Sequence, residues 1–144
     1  MTDNKAFSLL EVVVVLAIIS IMAAVAAPNY NSWLAGHRLS ASARDIYSLI
    51  QLSRLRAVKE RANVCIEINA GSGHCYAYVD NGPKETIQET TVEKGITITG
   101  VTASHVEFNS RGFPKPFGTS ITLMNINGDQ KQIRLSMAGH VRIL

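Results

Sequence analysis

The stretch that decides the fold is Leu9-Leu10-Glu11-Val12-Val13-Val14-Val15-Leu16-Ala17-Ile18-Ile19-Ser20-Ile21-Met22-Ala23-Ala24-Val25-Ala26-Ala27. Only Glu11 and Ser20 interrupt its apolar run. As a helix it spans about 28 Å, close to the hydrocarbon thickness of a bilayer. A core strand would be far shorter. A cleavable secretory signal is the serious competitor. Against it stand the weakly basic leader, with only Lys5 and Asp3, the length of the run, and a carboxylate in its first turn. Flanking charge leaves orientation open, because Lys5 precedes the run while Arg38 and Arg44 follow it.

Working outward, Pro28 ends the apolar run or kinks the helix there. Beyond it, Leu39, Ala43, Ile46, Ile50, Ser53 and Ala57 recur at alternating steps of four and three, with Leu49 and Leu52 widening the stripe. That is one face of an amphipathic helix. Arg38, Arg44, Arg54, Arg56, Lys59 and Arg61 decorate its other sides. After Arg61 the pattern changes to strands. Asn63 to Asn69 alternates, Gly71-Ser72-Gly73 is a turn, and Cys75 to Val79 resumes an extended pattern. A hairpin centred on Ala70 sets Cys65 opposite Cys75, where a disulfide could form. Asp80-Asn81-Gly82-Pro83 is a turn. Glu85 to Glu93 reads as a loop or an edge strand, Gly95 to Val101 and His105 to Asn109 as strands, and Arg111 to Gly118 as a loop. In the last hairpin a single buried face asks for an odd-length loop pairing Leu123 with Ile133 and Ile121 with Leu135.

The 144 residues fit one domain plus an appendage. Apolar residues make up 47% and charged residues 17%, and the apolar excess sits largely in the one segment, so the remainder has ordinary soluble composition. Charge alternates along the chain. Residues 29 to 61 carry six Lys/Arg against two acids, residues 62 to 99 two against five, and residues 100 to 144 five against two. This is either a solvated surface or a set of faces for an anionic ligand or for an acidic neighbour. His37, His74, His105 and His140 are scattered, and neither they nor the two cysteines have metal-ligand spacing. No G-x-S-x-G, H-E-x-x-H, P-loop or dinucleotide fingerprint is present. No enzyme chemistry, metal or cofactor is implied.

The segment Ala6-Phe7-Ser8-Leu9-Leu10-Glu11, followed by the apolar run and Pro28, resembles the class III signal of type IV pilins and type II secretion pseudopilins. The resemblance implies a prepilin peptidase cutting between Ala6 and Phe7 and methylation of the Phe7 amine. It makes Glu11 the fifth mature residue, which in the family pairs with the N-terminus of a neighbouring subunit. The family commonly has Gly before the cut, where this chain has Ala6. The plain structural account of Glu11 is a capping box with Ser8; the functional account is that a carboxylate in lipid needs a partner. Phe108-Asn109-Ser110-Arg111-Gly112-Phe113-Pro114 and Gly139-His140-Val141-Arg142 resemble the minor pseudopilins of the GspH/FimT type. The tail resembles the G-R-x-R motif of DNA-binding FimT-type pilins, with His140 in place of the first Arg. Lys131, Arg134, Arg111 and Lys115 are the other cations that could join Arg142 there.

The expected fold is α+β and pilin-like: a long N-terminal helix, transmembrane in its first half, packed on an antiparallel β-sheet domain. The expected divisions are a leader at 1–6, a transmembrane and assembly helix at 7–28, its amphipathic continuation at 29–61 and a β-rich domain at 62–144. The expected role is a minor pilin or pseudopilin in the inner membrane, single pass, with the C-terminal domain outside the cytoplasm. Its partners would be other pilins, prepilin peptidase and membrane lipid. The alternatives are a DNA-binding minor pilin in DNA uptake, or a membrane-anchored binding protein that never polymerises.

Overall fold

The computed structural model describes residues 8–80 and 84–144, without the side chains of residues 25–29. Among the described residues one helix, α1 (Leu9–Glu60), is followed by nine strands. They are β1 (Val64–Asn69), β2 (His74–Val79), β3 (Glu85–Thr91), β4 (Ile96–Val101), β5 (His105–Phe108), β6 (Pro114–Lys115), β7 (Ser120–Asn125), β8 (Gln130–Leu135) and β9 (Val141–Ile143). The chain divides into two compact units, Met1–Leu34 and Ala35–Leu144.

The first unit is helix. α1 runs on past residue 28, so the helix does not end there. The large apolar side chains from Leu9 to Met22 are all exposed. Among the described residues, no helix is long and apolar enough to cross a membrane. The described side chains of the apolar run go from Leu9 to Ala24, about 24 Å of helix.

In the second unit the amphipathic stripe is the core face of α1. Leu39, Ala43, Ile46, Leu49, Ile50, Ser53 and Ala57 are each buried. Ser53 tolerates this because its Oγ donates back to the Leu49 carbonyl at 2.7 Å. The described strands form two antiparallel sheets, in keeping with the expected antiparallel β-sheet domain. The five-stranded sheet has the order β3-β2-β1-β5-β6, and the four-stranded sheet β4-β7-β8-β9. Val64, Ile66 and Ile68 from the first, and Ile121, Leu123, Ile133 and Leu135 from the second, join the helix stripe in one apolar cluster. Glu85–Thr91 is an edge strand, the second of its two sequence readings.

Two hairpin registers depart from expectation, and turn chemistry is the reason in both. In β1–β2 the pairs are Ile68 with Cys75 and Cys65 with Tyr78. Asn69 Oδ1 accepts from the Gly71 and Ser72 amides, at 3.1 Å each, and Gly73 takes φ 68°. This makes a four-residue turn, Ala70 to Gly73, and moves the pairing by an odd step. Cys65 and Cys75 are therefore on opposite faces of the sheet and about 10 Å apart along it. Both are free thiols, so the expected cross-hairpin disulfide is corrected. In β7–β8, Ile121 pairs with Ile133 and Leu123 with Lys131. Asn125 Oδ1 accepts from the Asn127 and Asp129 amides, closing a three-residue loop with Gly128 at φ 88°. The loop is odd, as expected, but the pairing shifts by two residues. An even shift keeps the apolar face inward.

Candidate functional site

Three places stand out, and the first two carry residues that the sequence singles out. The first is the start of α1. Ala6 and Phe7 lie outside the described residues. So does the side chain of Pro28, and so do residues 81–83 of the Asp80–Pro83 turn. Glu11 is exposed in the first turn among Leu9, Leu10, Val12 and Val13. The expected capping box is not formed: the Glu11 and Val12 amides donate to the Ser8 backbone carbonyl at 3.0 and 3.3 Å, and among the described residues neither side chain closes the box. A carboxylate without that local use, inside an apolar surface, has its energetic cost unmet by the helix itself.

The second place is the outer face of β8–β9. Arg134 and Arg142 are Cα partners across the two strands, both exposed. His140 lies two residues before Arg142, just ahead of β9, and is exposed. Arg134, Ser136, His140, Arg142 and Leu144 line an open depression of about 350 Å³. Like charges set directly opposite on one face repel. Arg134 Nη2 donates to Gln132 Oε1 at 2.9 Å, and among the described residues Arg142 has no hydrogen bond or ion pair from its side chain. The other expected cations do not join them in the sheet. Lys131 pairs with Leu123 and lies on the face that carries Ile133 and Leu135. Lys115 belongs to β6, opposite Glu107, in the other sheet. Arg111 lies in the turn before Gly112, which approaches the Gly139 turn.

That approach is organised by Arg54, a residue the sequence reading left among the solvated cations of the helix. Its Nε donates to the Gly112 carbonyl at 3.2 Å, its Nη1 to the Gly139 carbonyl at 3.0 Å and its Nη2 to the Ala138 carbonyl at 3.2 Å. The guanidinium fork thus fastens both family-like segments, Phe108–Pro114 and Gly139–Arg142, to α1. Asn109 shapes the first of them, with Oδ1 accepting from the Arg111 and Phe113 amides. The one sequence signal for Arg54 is its place directly after buried Ser53; nothing local names its partners.

The third place, also not foreseen, is the outer face of β1–β2. The hydroxyls of Tyr76 and Tyr78 both donate to the Glu67 carboxylate, the latter at 3.0 Å. The two rings stack at 6.0 Å, and Lys84 Nζ stands 4.5 Å from the Tyr78 ring centroid. The hydrogen bond from Tyr76, then that from Tyr78, holds the Glu67 carboxyl below its usual range. Burial and the Glu67 hydrogen bond push the Tyr78 hydroxyl up. Cys65 lies under this face, raised by burial and by Asp80 and Glu107, whereas burial in the core pushes Cys75 up to about 11. Among the described residues no His, Cys, Asp and Glu side chains gather as a metal site.

Known structures share this architecture. The minor pseudopilin EpsH from the type 2 secretion system of Vibrio cholerae superposes with TM-score 0.62 at 15% identity, over 74% of this chain and 96% of that one. The type IV minor pilin FimU of Pseudomonas aeruginosa gives 0.64 at 16% identity, over 75% and 89%. At such identities the likeness is one of fold. No curated protein matches the sequence. Residues 1–27 match the prokaryotic N-terminal methylation motif. Residues 42–139, more than half of the chain, match the model of the type II transport protein GspH, and the chain belongs to that family.

Proposed function

We propose that this chain is a minor pseudopilin or pilin subunit, cut between Ala6 and Phe7, methylated on Phe7 and then built into a pseudopilus or type IV pilus. The family is structural and the chain is not an enzyme. The observation that carries the reading is the joint presence of the methylation motif at 1–27 and the GspH match at 42–139, bridged by one helix, Leu9–Glu60. Before assembly the apolar segment anchors the subunit in the inner membrane as a single pass, with Ala35–Leu144 outside the cytoplasm. In the filament the exposed apolar residues from Leu9 to Met22 are buried among neighbouring helices, and that burial drives assembly. On this reading Glu11 pairs with the methylated amine of a neighbour, admitting only processed subunits.

The test is mass analysis of the membrane-extracted chain, expressed with and without a prepilin peptidase. A chain that starts at Phe7 and carries one methyl group, only with the peptidase present, is expected. An intact Met1, or a cut near Ala27, overturns the reading.

A second reading, that the subunit also holds duplex DNA, is favoured by one observation: the exposed Arg134–Arg142 pair, which gains from an anion placed between its members.

A further inference from the structure

Tyr30 and Trp33 follow the apolar run of α1 and stand three residues apart, so they share one helix face. Their ring centroids are 6.1 Å apart with planes at 33°. They are 59% and 62% exposed, although each ring brings a large apolar surface. Two residues later, at Ala35, side chains begin to be buried and the second unit starts.

Their axial position is informative. From Leu9, Tyr30 lies about 31 Å along the helix and Trp33 about 36 Å. A hydrocarbon core is about 30 Å thick. With Leu9 at one boundary, both rings fall just past the other, among the headgroups. Tyr and Trp suit that zone because each joins an apolar ring to one polar group, the phenolic hydroxyl or the indole N–H. A Lys or Arg there would report charge alone. A paired set of rings reports depth, since moving it inward strands the polar groups and moving it outward exposes the rings.

We propose that Tyr30 and Trp33 form an interfacial anchor that sets how deeply the apolar helix sits in the bilayer before assembly, with the lipid headgroup region as its partner. This rests on the membrane-anchored reading above. The pair acts as a stop on the helix. It keeps Ala35 and the residues after it out of the lipid, and it holds the carboxylate of Glu11 near the opposite boundary.

Trp33 is the only tryptophan in the sequence, so intrinsic emission reports this position alone. The full chain is reconstituted at high lipid excess into vesicles of phosphatidylethanolamine and phosphatidylglycerol, and flotation is measured first. The chain is expected to float. Trp33 emission should then be blue-shifted from that of the urea-unfolded chain and severalfold protected from aqueous iodide. Lipids brominated near the headgroup should quench it severalfold more than lipids brominated at the chain end. Tyr30→Ala should float equally well but lose much of the iodide protection. A chain that does not float overturns the membrane reading itself. A chain that floats while Trp33 stays open to iodide and blind to brominated lipid overturns the anchor alone. Protection that depends on protein concentration and not on lipid label also overturns it, in favour of a helix–helix contact. An unchanged quenching profile in Tyr30→Ala overturns the pairing.

Discussion

Arg54 on the helix donates to the carbonyl oxygen of Gly139 at 3.0 Å, 85 positions further along the chain. Gly139 has φ 77°, and a Cβ built there would come within 2.6 Å of the Gly112 carbonyl oxygen. The two turns thus approach so closely that only glycine fits at the contact, and one guanidinium satisfies the carbonyls on both sides. This places the Arg134–Arg142 face at a fixed position relative to the helix end.

Removing the fork should loosen both turns together. Hydrogen bonds from a charged donor are each worth more than neutral ones, though partial exposure weakens these, so Arg54→Ala should cost about 2 kcal/mol. That corresponds to a fall of roughly 5 °C in melting temperature. Arg54→Lys should recover less than half, because an ammonium cannot reach three carbonyls in fork geometry. Thermal melts of the detergent-solubilised chain give the answer; a loss under about 0.5 kcal/mol would mean the fork is only surface decoration.

Much of this architecture is legible in the sequence. The stripe from Leu39 to Ala57 predicts most of the buried face of α1, missing Ser42 and including the half-buried Leu52, because helical period is a local property. Strand positions are also local. Registers are not, since one asparagine decides each. The Asn69 side chain takes two turn amides and sends Cys65 to the far side of the sheet. Asn125 closes a shorter loop, and its even shift spares the face. The division into two sheets is not local at all, for β1 pairs with β5 across the whole of β2–β4. Arg54 is invisible for the same reason: its partners lie far along the chain. The tail motif, by contrast, is visible in sequence, but only the β8–β9 register separates Arg134 from Lys131 as a partner of Arg142.

The thiols supply a check on the register. Cys75 is fully buried in the core, with its thiol raised to about 11, and Cys65 is nearly as buried with its thiol also raised. Thiolate is the reactive form, so both should resist iodoacetamide near neutral pH. Denatured without reductant, the chain should take two alkyl groups. None, with two recovered after reduction, would restore the bond that the register forbids.

Glu67 gives a pH dependence with a definite sign. Its folded carboxyl is held below the usual range by Tyr76 and Tyr78, so the native state favours the ionised form. The stability this brings is complete above the ordinary glutamate range and disappears as pH falls through the lowered folded value. The effect is small, because 34% of the side chain faces water. Urea titrations from neutral to about pH 3 should show the parent losing more stability than Glu67→Gln. Parallel curves would remove the carboxylate from the acid response.

Glu11 separates assembly from insertion. Glu11→Gln keeps the side-chain shape and removes the charge. It should enter the membrane at least as well, because the apolar segment becomes less costly to bury. Incorporation into filaments should drop severalfold, measured as the ratio of sheared filament to membrane-held subunit. Since, among the described residues, no capping box with Ser8 is formed, helix stability should change little. Equal incorporation would leave Glu11 without an assembly role.

The Arg134–Arg142 pair makes the sharpest claim, because stability and binding should move in opposite directions. Two arginines facing each other on an exposed sheet surface cost the fold a few tenths of a kcal/mol. Arg142→Gln should therefore leave the chain equally or slightly more stable. If duplex DNA is the anion that relieves the repulsion, the same change should weaken its binding. Two phosphate contacts predict a log–log salt slope of about −2 for the parent and about −1 for Arg142→Gln. Lys131→Gln and Lys115→Gln are the controls, since Lys131 lies on the opposite face and Lys115 in the other sheet. Titration of the detergent-solubilised chain with labelled duplex at low and moderate salt measures all four. Binding that is absent at low salt, or that falls with the lysines and not with Arg142, removes DNA as the ligand of this face. The repulsion would then have to be met by an acidic surface on a neighbouring subunit.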